Sequence, residues 1–403
     1  MISVLEGIRV VEVADWGFVP SAGTVLADWG ADVVKVEHPV RGDPIRGLVT
    51  SGIVPGARGV NFFVEQLGRN KRSIGLDLAK DEGREVLCRL VERADVFLTN
   101  FLPSARRRLR ITYEDLKAVN PRIVYAKGHG QGQRGPDADK GGYDGASFWA
   151  RGGIADRLTR PGEPLVMQRP AFGDFTGGMF LAGGIAAALF RRERTGKGGE
   201  VDVSLLGNAV WVLSPDIVAA MTYGFELPPS GVGGTPNPLV RIYACKDGKR
   251  ISLMMLQEER FWPIFCRTID RPDLLEDPRF ATAEARKANV DELVRVLESV
   301  FAARTREEWA RALRASDCIW APVQSPSEVP DDPQVVANRY VLEFPHPAHG
   351  RFRVAASPVQ FDNEAPEVRK AASESGADTE EVLLELGYGW EDIARLKDAQ
   401  VVP

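Results

Sequence analysis

Cysteine and histidine are scarce in this sequence. Its 403 residues include four cysteines, which lie far apart without a Cys-x-x-Cys pair, and four scattered histidines. Such spacing favours reduced, buried thiols and argues against a disulfide framework or a zinc site. We therefore expect a cytoplasmic protein that binds no metal.

The sequence also lacks a large excess of charge of one sign and long apolar runs. Lys and Arg number 51 against 56 Asp and Glu, so the formal net charge is −5. This balance predicts neither a nucleic acid nor an anionic membrane as partner. No charge-free apolar run reaches about eighteen residues, and segment 1–17 is charged where a signal peptide needs an apolar core. The length exceeds that of one ordinary core, so two domains are expected.

The N-terminal part alternates between strand and helix patterns. Helical patterns separate four β-branched runs, and this order predicts a doubly wound, Rossmann-like α/β sheet of parallel strands. The predicted strands cover 8–14, 31–37, 95–101 and 122–128, and the predicted helices cover 20–30, 80–94 and 111–121.

The pattern changes after a Pro/Gly-rich stretch near residue 225. A hairpin turning at Asp247-Gly248 and helices near 258–269 and 291–301 predict a small α+β domain. We expect this domain to cover 225–320 and the large domain to cover 1–224 and 321–403. The tail predicts a helix with a capping box formed by Asp378 and Glu381, which ends at Gly387.

Two glycine motifs superficially indicate nucleotide binding. "GQGQRG" (130–135) matches G-x-G-x-x-G, but Pro136-Asp137 follows where a helix must begin to meet the pyrophosphate. "RTGKGGE" (194–200) lacks the upstream glycine and the Ser/Thr of a phosphate loop. We therefore expect no NAD.

Two basic clusters allow two interpretations. "GRNKRS" (68–73) and "NFLPSARRRLR" (100–110) flank predicted strand ends, where open α/β sheets bind ligands. Each cluster forms either a solvated face or a site for a phosphorylated cofactor, because guanidinium groups match phosphate oxygens.

A lone acid, Asp174, precedes an apolar helical run in "RPAFGDFTGGMFLAGGIAAALF" (169–190). An acid at this place is commonly an N-cap that accepts hydrogen bonds from the first free N–H groups. Alternatively, the helix start keeps the carboxylate ionised, nearby glycines allow close approach of backbone, and the carboxylate attacks an acyl carbon. The spacing leaves both interpretations open.

Ordered blocks along nearly the whole chain resemble family III CoA-transferases, which include formyl-CoA transferase and carnitine CoA-transferase and are related to α-methylacyl-CoA racemases. The resemblance implies a large domain built from both chain ends, a small domain between them, and an interlocked homodimer. The blocks include "LEGIRVVEVA", "LADWGADVVKVEHPVRGDPIR", "GRNKRSIGLDL", "ADVFLTNFLPSA", "NPRIVYAKGHGQGQRGP", "GDFTGGMFLAGGIAAAL" and "RTGKGGEVDVSLL".

The resemblance also implies the site residues. Asp174, in the G-D-x-x-G-G block, matches the catalytic aspartate. Coenzyme A is then a co-substrate, delivered as an acyl-CoA donor, and a carboxylic acid is the acceptor. The matching CoA-binding positions are Asn70, Lys71, Arg72, Asn100, Phe101 and Arg108.

Other positions separate the branches of this group. Racemases use a histidine in a G-H-D block, whereas "GGYDGAS" has Tyr143 there, and a phenol of pKa ~10 is a poor base. Tyr143 therefore favours a transferase. A counterpart of the racemase glutamate, Glu258, keeps a racemase or epimerase as the alternative. A CoA-binding protein without turnover is a second alternative, against which Asp174 argues.

The chain departs from formyl-CoA transferase near the expected substrate. Gly17, after Trp16, stands where that enzyme has a glutamine, and His38 stands where it has an arginine. Trp16 and Phe18 favour a larger, more apolar acyl group than formate or oxalate. Trp16, His38 and Tyr143 are expected at the CoA site, and "SGVGGTP" (230–236) resembles the glycine loop that closes over it.

The resemblance therefore implies an acyl-CoA:carboxylate CoA-transferase. Its reaction would pass through a mixed anhydride and an aspartyl-CoA thioester on Asp174.

Overall fold

The structure, a computed structural model, describes residues 3–49, 51, 59–169, 171–225 and 237–403. The chain divides into two compact units. One consists of Met1–Leu227 with Gln334–Pro403, and the other of Pro228–Pro333.

The first unit is organised around six parallel strands in the order β3-β2-β1-β4-β5-β6. The predicted α/β fold with a parallel sheet is confirmed, and four of the strands lie where periodicity predicts them. The strands β3 and β6 were missed because charged residues interrupt their apolar pattern. The strands are β1 (Arg9–Val13), β2 (Asp32–Glu37), β3 (Lys71–Gly75), β4 (Val96–Thr99), β5 (Val124–His129) and β6 (Gly199–Ser204).

Helices connect and cover these strands. Those before the second unit are α1 (Phe18–Asp28), α2 (Phe62–Gly68), α3 (Asp81–Glu92), α4 (Pro103–Leu109), α5 (Tyr113–Val119), α6 (Ile154–Leu158), α7 (Phe172–Thr195), α8 (Leu205–Val212) and α9 (Ser214–Tyr223). The second unit contains α10 (Glu258–Thr268), α11 (Ala283–Ala288), α12 (Val290–Phe301) and α13 (Arg306–Arg314). The remaining helices are α14 (Pro333–Ala337), α15 (Thr379–Glu385) and α16 (Trp390–Asp398).

An apolar layer covers each face of the main sheet. On one face, Leu26 of α1 and Leu181 of α7 are fully buried in the same cluster as the strand residue Val33. On the other face, α3 and the C-terminal helices contribute residues such as Val86 and Leu383. Segments from both ends of the chain therefore cover one sheet.

Glycines let α1 and α7 pack at close range. A Cβ atom at Gly178 would lie 1.8 Å from Ser21 Oγ and 3.0 Å from the carbonyl oxygen of Phe18. A Cβ atom at Gly177 would lie 2.6 Å from the Phe18 ring.

Among the described helices, α7 is long and apolar enough to cross a membrane. The pair α8 and α9 would also be long enough if the two helices formed one span, but they meet at a bend of 71°. In this structure α7 packs along α1.

The second unit is built on an antiparallel sheet with strands β7 (Val240–Ala244), β8 (Arg250–Met254) and β9 (Trp320–Val323). The predicted hairpin is present, and Gly248 has a φ of +74° in its turn. Because β9 pairs with β8, this unit continues past the predicted boundary at 320. A second hairpin follows in the first unit, formed by β10 (Val341–His346) and β11 (Gly350–Ala355).

The predicted capping box of the tail is wrong. Asp378 precedes α15, but its carboxylate accepts a hydrogen bond from Ser73 N–H (2.7 Å) and pairs with Lys370. Asp378 therefore ties the tail to β3. Gly387, with a φ of +89°, follows α15 as predicted. All four cysteines lie in described parts of the chain as free thiols, three buried and Cys88 half-buried.

Candidate active site

A cavity of about 610 Å³ opens at the carboxyl ends of the parallel strands. Its walls include Val13 of β1, Glu37 of β2, Asn100 after β4 and His129 of β5. From β1 the chain continues to β2 and β3 on one side and then returns to place β4 on the other side of β1. The strand order therefore reverses between β1 and β4, where the cavity opens. Open α/β sheets bind their ligands at this point.

Asp174 lines the cavity from the first turn of α7. The N-cap interpretation of this residue is wrong, because α7 begins at Phe172 and Ala171 precedes it in a left-handed conformation with φ +83°. The carboxylate of Asp144 binds the helix start instead, accepting from Gly173 N–H at 3.1 and 3.2 Å. Within the described residues, the Asp174 side chain makes no hydrogen bond or ion pair.

Burial raises the pKa of Asp174 to about 7, and the negative charge of Asp144 acts in the same direction. The expectation that the helix start favours the ionised form is therefore outweighed by desolvation and by a like charge. Near neutral pH, the Asp174 side chain is therefore divided between its acid and its carboxylate form.

Gly17 faces this carboxylate from the loop between β1 and α1. A Cβ atom at Gly17 would lie 2.6 Å from Asp174 Oδ2, closer than van der Waals contact allows. The carboxylate thus occupies the space that a side chain at position 17 would need. The absence of a side chain at this position follows from that close approach.

Aromatic side chains form one wall of the cavity. Trp16 has φ +67°, a conformation uncommon for a residue other than glycine, and its ring meets the Tyr143 ring edge-on at 5.6 Å. Phe18 is buried, and a Cβ atom at Gly128 would lie 2.8 Å from its ring. With Leu205, these residues give the wall an apolar surface.

Two of the predicted CoA-binding residues lie at the cavity after β4. Phe101 lines it and packs against the apolar layer beneath. Asn100 lines it too, but its amide is engaged: Oδ1 accepts from Asp15 N–H (3.1 Å) and Nδ2 donates to the Asp15 carbonyl oxygen (2.6 Å). Asn100 therefore fixes the end of β1 at the reversal point.

Three basic side chains line the cavity. Arg108, predicted from its cluster, is exposed and has no side-chain partner among the described residues. Arg41 is equally exposed and unpaired within the described chain, and Lys140 pairs with Asp137 at 2.7 Å. Sequence analysis missed Arg41 and Lys140 because each is a single charge in a loop.

His38, also predicted, lines the cavity after β2, where its Nδ1 accepts hydrogen bonds from the Val40 and Arg41 N–H groups. Its ring therefore holds the turn that carries Arg41.

The block at 70–72 lies away from this cavity. Asn70 donates to Asp28 and accepts from Arg369 N–H (2.7 Å), and the ammonium group of Lys71 is buried 2.7 Å from Glu12. Arg72 pairs with Asp32 (2.6 Å) and Glu385 (2.8 Å). These side chains support β3 and the tail, and the geometry argues against their predicted contacts with CoA.

Two further titratable groups at the cavity were missed by sequence analysis. Burial raises the pKa of Asp15 to about 7, and the charge of Asp43 adds to this. His129 Nε2 lies 2.6 Å from Asp202 Oδ2 on the neighbouring strand β6. Asp15 and His129 both lie at the carboxyl ends of strands. This position is the signal by which the sequence could have indicated them.

Other expected features lie elsewhere. Glu258 belongs to the second unit, where it pairs with the buried Arg286. The glycine-rich segment 230–236 lies outside the described residues. Within the described residues, no three His, Cys, Asp or Glu side chains are grouped so that they could hold a metal ion.

Comparisons with known proteins place the chain in a family. The family model described as CoA-transferase family III matches residues 5–379. An (R)-2-hydroxy-4-methylpentanoate CoA-transferase from Clostridioides difficile is 34% identical over 99% of both chains. A cinnamoyl-CoA:phenyllactate CoA-transferase from Clostridium sporogenes is 32% identical over 99% of this chain and 98% of that protein.

Solved structures share the fold. A CaiB/BaiF family protein from Brucella suis superposes with a TM-score of 0.82 at 29% identity, covering 96% of this chain and all of the other. A hypothetical protein from Mycobacterium tuberculosis superposes with a TM-score of 0.77 at 27% identity, covering 94% and 98%. The protein belongs to CoA-transferase family III and is an enzyme that transfers CoA between an acyl-CoA and a carboxylic acid.

Proposed function

We propose that this enzyme transfers CoA through a covalent intermediate on Asp174. The observation that carries the proposal is a carboxylate that has no partner among the described residues and lies in the cavity at the strand-order reversal, against the backbone of Gly17. A carboxylate in this position can attack an acyl carbon that the cavity delivers to it.

The reaction starts when ionised Asp174 attacks the thioester carbonyl of the donor. The C–S bond breaks, and a mixed anhydride and CoA thiolate form. The thiolate attacks the aspartyl carbonyl, and the donor acid leaves as a carboxylate. The acceptor carboxylate then attacks the aspartyl-CoA thioester, and the thiolate released attacks the acceptor acyl group. This last step forms the new acyl-CoA and regenerates the Asp174 carboxylate. The whole sequence involves no net proton transfer.

The tetrahedral intermediates need hydrogen-bond donors for their oxyanions. The Gly173 N–H at the start of α7 already binds Asp144. In contrast, α1 begins at Phe18, beside the Asp174 carboxylate, without a side-chain cap. We therefore assign the oxyanion donors to the first N–H groups of α1.

The acyl group is proposed to be apolar and of medium size. Trp16, Phe18, Tyr143 and Leu205 supply an apolar wall, and no side chain at Gly17 offers a hydrogen bond to a small acid. The two similar transferases are named for a branched and an aromatic hydroxy acid. We propose branched or aromatic acids as the substrate class.

The racemase alternative has less support. It requires two bases on opposite sides of the α-carbon, and Tyr143 replaces the histidine that serves as one of them. The carboxylate of Glu258 is engaged with Arg286. No contact among the described residues favours inversion over transfer.

A homodimer is proposed from an exposed apolar band on α7, α8 and α9. Trp211 is 69% exposed and Met221 73%, and α9 has no buried residue. Monomeric proteins rarely leave so much contiguous apolar surface to water. We propose that a second copy of the chain covers this band in an interlocked dimer.

The first prediction tests the nucleophile. Replacing Asp174 by Asn or Ala should lower transfer by roughly 10³-fold, because no carboxylate remains to form the anhydride. Intact mass after incubation with acyl-CoAs should show a CoA adduct on the wild type and none on either variant. Asp398→Asn, an exposed acid at the end of α16, is the matched control and should keep full activity. A tenth of wild-type activity in Asp174→Ala would exclude the mechanism.

A second prediction uses the raised pKa of Asp174. Only the ionised form attacks, so kcat/KM should fall as the pH decreases through about 7. Asp144→Asn keeps an oxygen that accepts from Gly173 N–H but removes the negative charge. In Asp144→Asn, the acidic limb of the plot of kcat/KM against pH should therefore move to lower pH. Asp139 lies at an exposed site, so Asp139→Asn should leave the limb in place. An unmoved limb in Asp144→Asn would contradict this electrostatic role.

The third prediction concerns CoA phosphates. Arg108→Ala should weaken CoA binding about tenfold or more, since a charge-assisted hydrogen bond contributes roughly 1.5–3 kcal/mol. Arg107→Ala is the matched control on α4, because Arg107 pairs with Asp139 and does not line the cavity. Calorimetry with CoA measures both, and equal affinities would assign Arg108 to the solvated surface.

The fourth prediction concerns assembly. Interlocked subunits cannot separate by dilution, so sedimentation should give the dimer mass at micromolar and at nanomolar concentration. A folded monomer at the lower concentration would contradict interlocking. The exposed apolar band would then form an ordinary interface that separates on dilution.

A further inference from the structure

A cluster of buried charges lies beneath the loop that faces Asp174. We call Glu12, Lys35, Asp43 and Lys71 the ion cluster. Lys35 Nζ lies 3.1 Å from Glu12 Oε1 and 2.9 Å from Asp43 Oδ2, and Lys71 Nζ lies 2.7 Å from Glu12 Oε2. None of these four side chains is more than 9% exposed.

The ion cluster binds the main chain at three successive points. Lys35 Nζ donates to the carbonyl oxygen of Ala14 (2.7 Å), and Asp43 Oδ1 accepts from Trp16 N–H (3.0 Å). Lys71 Nζ donates to the carbonyl oxygen of Pro20 (2.7 Å). The contacts run from the end of β1 to the first turn of α1, so they enclose Gly17.

Asp43 makes the contact next to Gly17. The residue it holds, Trp16, has φ +67°, a conformation that costs free energy for a side chain larger than glycine and persists only where surrounding contacts enforce it. Asp43 Oδ1 also accepts from Ile45 N–H at 2.9 Å, which anchors the carboxylate itself. Losing Asp43 would free Trp16 to adopt an ordinary conformation.

We infer that Asp43 is a positioning residue for the reaction at Asp174: its bond to Trp16 N–H keeps the backbone of Gly17 against the catalytic carboxylate. The inference rests on the proposed function, because it assigns a role within that reaction. Displacing a reacting group by about 1 Å can lower a rate by roughly 10²-fold even when binding is unchanged. Asp43 should therefore affect turnover more than substrate affinity.

Without Asp43, the buried ammonium groups of Lys35 and Lys71 would share one carboxylate, that of Glu12, so each would still have an ionic partner. Burial lowers the pKa of Lys35, but Asp43 and Glu12 more than offset this, so its pKa lies above the ordinary value. Without Asp43, Lys35 keeps Glu12 and the carbonyl oxygen of Ala14 as partners. We therefore expect Asp43→Ala to fold.

A second buried acid provides a matched control. Asp28, at the far end of α1, pairs with the guanidinium group of Arg69 at 2.7 Å and does not line the cavity. Asp28→Ala removes a buried ion pair of the same kind but leaves the contacts of Trp16 in place. Asp43→Asn retains an oxygen that can accept from Trp16 N–H.

The experiment compares Asp43→Ala, Asp43→Asn and Asp28→Ala with the wild type. Asp43→Ala should lower kcat by roughly 10–100-fold while the KM for acyl-CoA stays within about threefold. Hydrogen exchange should accelerate in the peptide that contains Trp16. Asp43→Asn should recover most of kcat. Asp28→Ala should lower the melting temperature but keep kcat within about threefold of wild type.

Three results would overturn the inference. They are an equal loss of kcat in Asp28→Ala, a change in KM alone in Asp43→Ala, or unchanged exchange at Trp16 in Asp43→Ala. Failure of the proposed function is a different result, because wild-type enzyme would then form no CoA adduct on Asp174.

Discussion

The active site depends on the close approach of α1 and α7. Gly177 and Gly178 admit the first turn of α1, and a Cβ atom at Gly178 would penetrate Ser21. One turn earlier on α7, Asp174 meets Gly17, which immediately precedes α1. Both contacts require backbone without side chains, so the packing of the two helices and the position of the carboxylate have one cause. A larger residue at either contact would separate the helices and withdraw Asp174 from the loop.

Local patterns predicted the parts of this enzyme that depend on nearby residues. The β-branched runs indicated four strands of the sheet, and Asp247-Gly248 indicated the hairpin of the second unit. Asp174 was noticeable because it is the one acid among the apolar and glycine residues of segment 169–190. The catalytic role proposed for it, however, came from the resemblance to a family, since the local pattern was also that of an N-cap.

Long-range partners account for what the sequence did not show. Lys71 looks like part of a basic surface cluster, but its partner Glu12 lies 59 residues earlier and both are buried in the fold. Asp144 lies 29 residues before the helix start that it binds. Asp378 was predicted to cap its own helix but instead reaches Ser73, 305 residues away. Spacing along the chain contains no information about such pairs.

The electrostatics of the cavity match the chemistry proposed for it. A carboxylate with a pKa near 7 is still about half ionised at neutral pH, and it is a stronger nucleophile than one with a pKa of about 4. Under the proposed mechanism, the raised pKa also affects the mixed anhydride, in which two carboxylates compete as leaving group. Thiolate attack at the aspartyl carbonyl expels the less basic donor acid, whereas attack at the donor carbonyl must expel the more basic Asp174.

This difference favours the aspartyl-CoA thioester over return to the donor. Under the proposed mechanism, CoA would then stay on Asp174 until an acceptor carboxylate attacks. Burial of Asp174 beside Asp144 therefore affects more than the pH dependence of the reaction. Under the proposed mechanism, it also favours the covalent CoA adduct as the stable intermediate between the two half-reactions.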